Sequence, residues 1–473
     1  MGRRPIYHKV YHQLRYQILS GERPIGSHMP PERKLAEELG VSRNTVVRAY
    51  DELEAEGFIA GRMGSGRYVQ PLPPASSLPR IDWQGGQQLE TLIDYPSHMA
   101  DLLSVFVHHP DSFNFAHGEG GKHTVKTSGF AEYLRATSER LDSYYFTAVQ
   151  GYPPLREQIV KWMDVEQVSS PEQVLITSGS QEGLYLIARL LARPGDAVVT
   201  EMPTYFGSLQ LFQSLGMRII PIPMDAHGMD THVLESVLAR YRPRFLYTVP
   251  TFHNPTGATL SLERRKQLLS ISEKYQLPIV EDDAYRHLHL EEEAPPPLKQ
   301  LDDSGRVIYL NTFSKILFPG LRIGWIAATR PIIRMLSRFK ELSITTNTLG
   351  QVALAEYLRD QRLAPHLAHV RSLYREQARA MEMHLARLKE LGISYEKPSG
   401  GFYYWVSLPE EIHARSFMKA CQARGVSITC GDMFLLREAE QRFIRLCYTH
   451  ESSSLIEQGM SILSEVLRKE LSR

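Results

Sequence analysis

Residues 311–325 read NTFSKILFPGLRIGW. Lys315 follows two hydroxyl residues, Thr312 and Ser314, and Arg322 stands seven positions later, ahead of Ile-Gly. The apolar run VIYLNT (307–312) leads into this lysine, which places its amine at the end of a strand. An amine so placed can form a Schiff base, and the arginine and hydroxyls beside it can hold an anion.

Outward from that stretch, VLIT (174–177), AVVT (197–200), FLYTVP (245–250) and LPIVEDD (277–283) are further short apolar runs separated by helical stretches. That alternation predicts a mostly parallel α/β sheet covered by helices. From about residue 365 a long charged helix precedes a Gly-Gly-Phe-Tyr-Tyr-Trp strand, the mark of a second, smaller α/β lobe.

Several polar residues fall at the carboxyl ends of these runs, where ligands of parallel sheets bind. Asp282 closes LPIVED, Tyr285 follows three residues on, and Asn254 lies in HNPTG. Tyr205 lies in MPTYFG, and SGSQEG (178–183) opens a helix after VLIT. Taken singly, a lysine is usually surface, NPTG a turn and Ser-Gly-Ser a loop. As an ordered set they supply what pyridoxal 5'-phosphate requires. Lys315 makes the imine and Asp282 faces the pyridine nitrogen. Asn254 and Tyr285 reach the 3-oxygen, and Tyr205 stacks on the ring. Ser180, Gln181, Thr312, Ser314 and Arg322 hold the phosphate, helped by a helix N-terminus.

The first 70 residues differ. Ile6, Val10, Leu14 and Ile18 share one helical face, ERKLAEELG (32–40) stops at Gly40, and Ser42 caps a helix running to about Glu56. Phe58–Ala60 and Tyr68–Val69, around Gly64-Ser65-Gly66, predict a hairpin. Three helices and a hairpin make a winged helix-turn-helix. Val46, Ala49, Tyr50 and Leu53 turn inward, leaving Ser42, Arg43, Asn44 and Arg48 at the start and outer side of the third helix. Arg can fork onto guanine and Asn onto adenine, while Thr45 and the helix N-terminus can hold a phosphate. Arg33, Arg62 and Arg67 can grip backbone or minor groove; each alone is equally a solvated arginine. Residues 1–70 carry 11 Lys+Arg against 8 Asp+Glu, a net of +3, whereas the whole chain nets +1. The expected double-stranded DNA contact is therefore local.

PLPPASSLPR (71–80) begins a Pro/Ser-rich linker extending to roughly residue 110. The division is thus 1–70, 71–110 and 111–473. Cys421, Cys430 and Cys447 fit neither a disulfide framework nor a zinc site, so no metal is expected. No apolar run is long enough to span a membrane and no signal peptide opens the chain, which predicts a cytoplasmic protein with no membrane partner.

MPPERKLAEELGVSRNTVVRAYDELEAEGFI with GSGRYV resembles the DNA-binding domain of GntR-type regulators. The resemblance places Arg33, Ser42, Arg43 and Asn44 on DNA-contacting positions, and departs from the family at Pro31, where a small residue is usual. GYPPLREQI, SGSQEG, PTY, NPTG, EDDAY, TFSK and LRIGW, in that order, resemble the fold-type I aminotransferases. By that resemblance Arg445 in FIRLCY binds an α-carboxylate. Phe146 stands where many members have a tyrosine that reaches the partner subunit's cofactor phosphate.

The combination resembles the MocR subfamily of GntR-type regulators. It implies a multidomain fold: a winged helix-turn-helix plus a fold-type I aminotransferase-like domain with a smaller C-terminal lobe. It also implies a head-to-tail homodimer that senses pyridoxal 5'-phosphate, alone or joined to an amino acid or amine effector. The competing expectations are a working aminotransferase carrying a DNA-binding head, and a body that is only a scaffold for another ligand.

Overall fold

The computed structural model describes residues 6–19, 22–62, 66–71, 112–140, 144–436 and 442–472. Beyond residue 71, the linker expected over 71–110 lies outside the described residues. The chain divides into two compact units, Met1–Tyr95 and Pro96–Arg473.

In the first unit, helices α1 (Ile6–Leu19), α2 (Glu32–Leu39) and α3 (Arg43–Ala55) precede strands β1 (Ile59–Arg62) and β2 (Gly66–Val69). Gly40 ends α2 in the left-handed conformation (φ 62°), which glycine adopts without a Cβ penalty. Pro31 stands at the N-cap of α2, outside the helix, so its missing N–H costs no helical bond. Ser42 caps α3 by accepting from the Thr45 amide at 3.3 Å. Val46, Ala49, Tyr50 and Leu53 are buried against Val10, Leu14, Leu35, Ile59 and Val69. This satisfies the apolar stripe of α3 and leaves its first turn outside. The strands pair antiparallel, Ile59 opposite Val69 and Arg62 opposite Gly66.

The second unit opens with β3 (Phe113–Asn114) and is built on β4 (Val174–Thr177), β5 (Ala197–Met202), β6 (Arg218–Asp225), β7 (Gly228–Met229), β8 (Phe245–Thr248), β9 (Ile279–Asp282), β10 (Val307–Thr312) and β11 (Gly324–Ala327). Strands β4 to β11 form one sheet in the order β4-β11-β10-β9-β8-β5-β6-β7. Strand β11 runs antiparallel to both neighbours and β7 is antiparallel to β6, while the β10-β9-β8-β5-β6 run is parallel. Every residue of β4, β8, β9, β10 and β11 is buried, as expected for a sheet covered on both faces.

A 26-residue helix (Leu363–Leu388) leads to the smaller sheet. Its strands are β12 (Ser394–Tyr395), β13 (Tyr403–Ser407), β15 (Thr429–Cys430) and β16 (Phe443–Cys447), while β14 (Val426–Ser427) pairs in parallel with β3. The segment entering this unit is thereby stitched to the small lobe rather than to the large sheet.

Candidate functional site

Strands β4, β9 and β10 end together, and their carboxyl ends carry the site. Asp282 is the last residue of β9, opposite Leu310 of β10. It is 7% exposed; one carboxylate oxygen, Oδ2, accepts from the Tyr247 hydroxyl at 2.9 Å. The other, Oδ1, is buried with no hydrogen-bond partner. Burial, only partly offset by the Tyr247 bond, raises this carboxyl from 3.8 to about 6. A buried acceptor without a donor is costly unless a ligand completes it.

Lys315 lies just past the end of β10. Its Nζ donates to the Gly118 carbonyl at 2.7 Å. Burial first, and the charge of Arg445 second, lower its amine from 10.5 to about 8. That makes the neutral, nucleophilic form accessible near neutral pH. Asn254 and Tyr285 meet: the Asn254 amide donates to the Tyr285 hydroxyl at 3.3 Å. The Tyr285 hydroxyl is 3.2 Å from that of Tyr403. Arg445, 1% exposed, donates to Asn254 Oδ1 at 2.9 Å and to the Ala116 carbonyl at 2.7 Å. Its guanidinium lies over the Tyr403 ring, 4.1 Å from the centroid. Nε of Arg445 is buried without a partner, a donor left for an anion. The Tyr205 phenol is raised to about 12, by burial first and by the charge of Asp282 next.

The anion cradle lies beside this group. Ser180 begins the helix Ser180–Leu191, and its N-cap is Gly179 at φ 88°. A Cβ at Gly179 would stand 2.6 Å from the Arg322 guanidinium, so only glycine leaves this concavity open. Arg322 donates to the Ser178 carbonyl at 2.8 Å. Ser314 and Thr312 hydroxyls are 3.0 Å apart, and Gln181 donates to the Gly207 carbonyl at 2.9 Å, tying the helix start to the Tyr205 corner. An orphaned carboxylate oxygen, a low-lying amine and a glycine-lined cradle at a helix N-terminus fit pyridoxal 5'-phosphate.

Reading the sequence missed Tyr247, Tyr403 and the carbonyls of Ala116 and Gly118. Tyr247 and Tyr403 lie inside apolar strands with no motif around them. The glycines of HGEGG (117–121) were the available signal for the rest: a Cβ at Gly118 would collide with the Tyr403 hydroxyl. Tyr144, Tyr145 and Phe146 are 65, 73 and 82% exposed, and the Tyr144 hydroxyl donates to the Ser138 carbonyl at 2.7 Å.

On the winged helix, Arg33 of α2 is exposed, as are Ser42, Arg43, Asn44 and Arg48 around the start and outer side of α3. Ser42 Oγ and Thr45 Oγ1 are 2.8 Å apart, so both hydroxyls also serve the helix start. Arg43 pairs with Glu32 at 2.8 Å and Arg48 lies 4.4 Å over the Tyr7 ring. Arg67 differs from the others. It is bound at once to Glu32 (2.9 Å), Asp51 (2.7 Å) and Glu54 (3.0 Å), which join α2, α3 and β2. Its geometry is that of a brace between helix and wing, not of a free phosphate contact. Arg62 ends β1, and its side chain lies outside the described residues.

Residues 6–69 match the family of bacterial regulatory proteins called gntR, and residues 132–462 match aminotransferase class I and II. The regulatory protein MocR of Rhizobium meliloti is 31% identical over 90% of this chain and 86% of its own length. The chain belongs to the MocR subfamily of GntR-type regulators. The Bacillus subtilis HTH-type transcriptional regulator YdfD is 32% identical over 100% of this chain and 98% of its own. Among solved structures, the α-aminoadipate aminotransferase LysN of Thermus thermophilus, complexed with N-(5'-phosphopyridoxyl)-L-leucine, is 32% identical. It has a TM-score of 0.75 and covers 81% of this chain and 97% of its own. This MocR-type chain therefore joins a GntR DNA-binding domain to an aminotransferase fold. Among the described residues no helix is long and apolar enough to cross a membrane, and no cluster of His, Cys, Asp and Glu can hold a metal.

Proposed function

We propose that this regulator senses pyridoxal 5'-phosphate, and an amino acid or amine joined to it, and that this occupancy alters its grip on operator DNA. The observation carrying the reading is the buried, partnerless Oδ1 of Asp282 in a site that also holds Lys315 and Arg322. When bound, the cofactor supplies an aldehyde for an amine and an electron-accepting ring. Around it, Asp282 holds a proton at the ring nitrogen, and Asn254 and Tyr285 donate to the ring oxygen. Tyr205 covers the ring, and Ser180, Gln181, Thr312, Ser314 and Arg322 hold the phosphate. Arg445 binds an effector carboxylate. In the other unit Arg33, Ser42, Arg43, Asn44, Thr45, Arg48 and Arg62 bind DNA.

The working division is a winged helix over 1–70, a linker over 71–110 and a sensor over 111–473, in a cytoplasmic head-to-tail homodimer. Dimerisation doubles the DNA half-sites read.

Titrating the purified protein with pyridoxal 5'-phosphate tests the cofactor. Visible absorbance of the lysine-bound form appears in the wild type and is lost in Lys315→Ala; equal absorbance in both refutes the assignment. Turnover is the second reading, favoured by the low-lying Lys315 amine. Phe146, lacking a hydroxyl for a partner's phosphate, weighs against efficient turnover, so steady transamination of an amino acid with a 2-oxo acid is expected to be weak.

A further inference from the structure

The sensor unit's first described stretch, FNFAHGEGG (113–121), threads the site itself. Its beginning is fixed to the small lobe: the Phe113 and Phe115 amides donate to the Gly425 and Ser427 carbonyls, both at 2.8 Å. The Cys447 amide donates to the Phe115 carbonyl at 2.8 Å. Asn114 Oδ1 then folds the chain by accepting from the Ala116 and His117 amides, both at 3.1 Å.

Beyond that turn, three carbonyls of the stretch are held by side chains, two of them from the ligand site. Arg445 donates to the Ala116 carbonyl at 2.7 Å, and Lys315 donates to the Gly118 carbonyl at 2.7 Å. Thr449 donates to the Glu119 carbonyl at 3.0 Å, and the Gly121 amide returns a bond to the Thr449 carbonyl at 3.0 Å. Two of these donors are the groups that a cofactor aldehyde and an effector carboxylate would engage. This stretch is also the point at which the chain arrives from the residues joining it to the winged helix.

We propose that Phe113–Gly121 is a strap that reports the occupancy of Lys315 and Arg445 to the connection with the DNA-binding domain. This rests on the cofactor reading above and adds how occupancy leaves the site. Condensation bonds Nζ to the aldehyde carbon and expels water, so the nitrogen gives up the protons with which it serves Gly118. A carboxylate on Arg445 competes in the same way for the donor of Ala116. Each loss removes a charge-assisted hydrogen bond from the strap, and none touches its anchor on the small lobe. Ligands thus bias an ordered strap against a released one, which is the differential interaction a switch needs.

Hydrogen exchange of peptides covering 113–121 tests this in the full-length protein, with visible absorbance recorded on the same samples. Adding pyridoxal 5'-phosphate is expected to produce the absorbance and to speed exchange of the Ala116, His117 and Gly121 amides about tenfold. Lys315→Met, without cofactor, is expected to reproduce the faster exchange. Absorbance with unchanged exchange overturns the strap while leaving the cofactor reading intact. No absorbance in the wild type overturns the cofactor reading and the ligand-driven strap together. Thr449→Val, which removes the donor to Glu119, supplies a second arm. It is expected to keep the absorbance and to shrink the ligand-induced change in DNA affinity at least threefold. An undiminished change in that variant contradicts the proposal.

Discussion

Replacing Asp282 by asparagine is expected to stabilise the cofactor-free protein while weakening its hold on the cofactor. Burial raises this carboxyl from 3.8 to about 6. At about 1.4 kcal/mol per pH unit, that rise amounts to ~3 kcal/mol of destabilisation once the group is ionised. Because the folded value lies above the unfolded one, the penalty is complete above pH 6. It fades as pH falls from 6 towards 3.8, where the native group is already neutral. Asparagine keeps a carbonyl to accept from Tyr247, so the 2.9 Å bond there survives.

Denaturant unfolding followed by tryptophan fluorescence, at pH 5 and pH 8 without cofactor, measures the difference. Asp282→Asn should be more stable by roughly 2–3 kcal/mol at pH 8, and by about half that at pH 5. Cofactor affinity should move the other way, falling about 10- to 100-fold with loss of a charged hydrogen-bond partner. A variant that is less stable at both pH values, or that binds the cofactor unchanged, would refute the reasoning.

Three other outcomes follow from the same geometry. With the Lys315 amine at about 8, the rate of cofactor attachment should rise about fivefold from pH 7 to 8 and then level off; a climb continuing to pH 10 in stopped-flow absorbance would place the amine at its ordinary value. Arg43→Ala should lose roughly 5- to 150-fold in specific DNA affinity, the range of one good base contact, with cofactor absorbance intact; loss of the absorbance would contradict two independent units. Arg445→Ala should bind the cofactor but lose at least tenfold in response to a carboxylate-bearing effector, measured by titration of the absorbance; an unchanged response would show that the effector uses another group.

Much of this was legible in the sequence where local chemistry and fold point the same way. Gly40 marks the end of α2 and Ser42 the start of α3, because a left-handed glycine and a side-chain cap are short-range devices. The buried runs announced β4, β5, β8, β9 and β10 because a doubly covered sheet needs unbroken apolar stretches. Strand β11 was harder: GWIA begins two residues after a motif arginine and its antiparallel direction is set by neighbours, not by its own residues. In the site, Lys315 and Asp282 stood at strand ends where position alone suggested a role. The partners of Lys315 and Arg445 did not, because Gly118 and Ala116 contribute backbone carbonyls, which no side-chain pattern records. Arg67 illustrates the converse. It reads as a wing arginine, but Glu32, Asp51 and Glu54 converge on it only once α2, α3 and β2 are packed.

The most direct measurement is binding of the purified protein to its own upstream DNA, titrated without ligand, with pyridoxal 5'-phosphate, and then with added amino acids. A ligand-gated regulator gives specific binding whose affinity or footprint shifts with the cofactor, and shifts again with one class of amino compound. Specific binding that is identical in all three titrations, with the cofactor spectroscopically attached to Lys315, would contradict it.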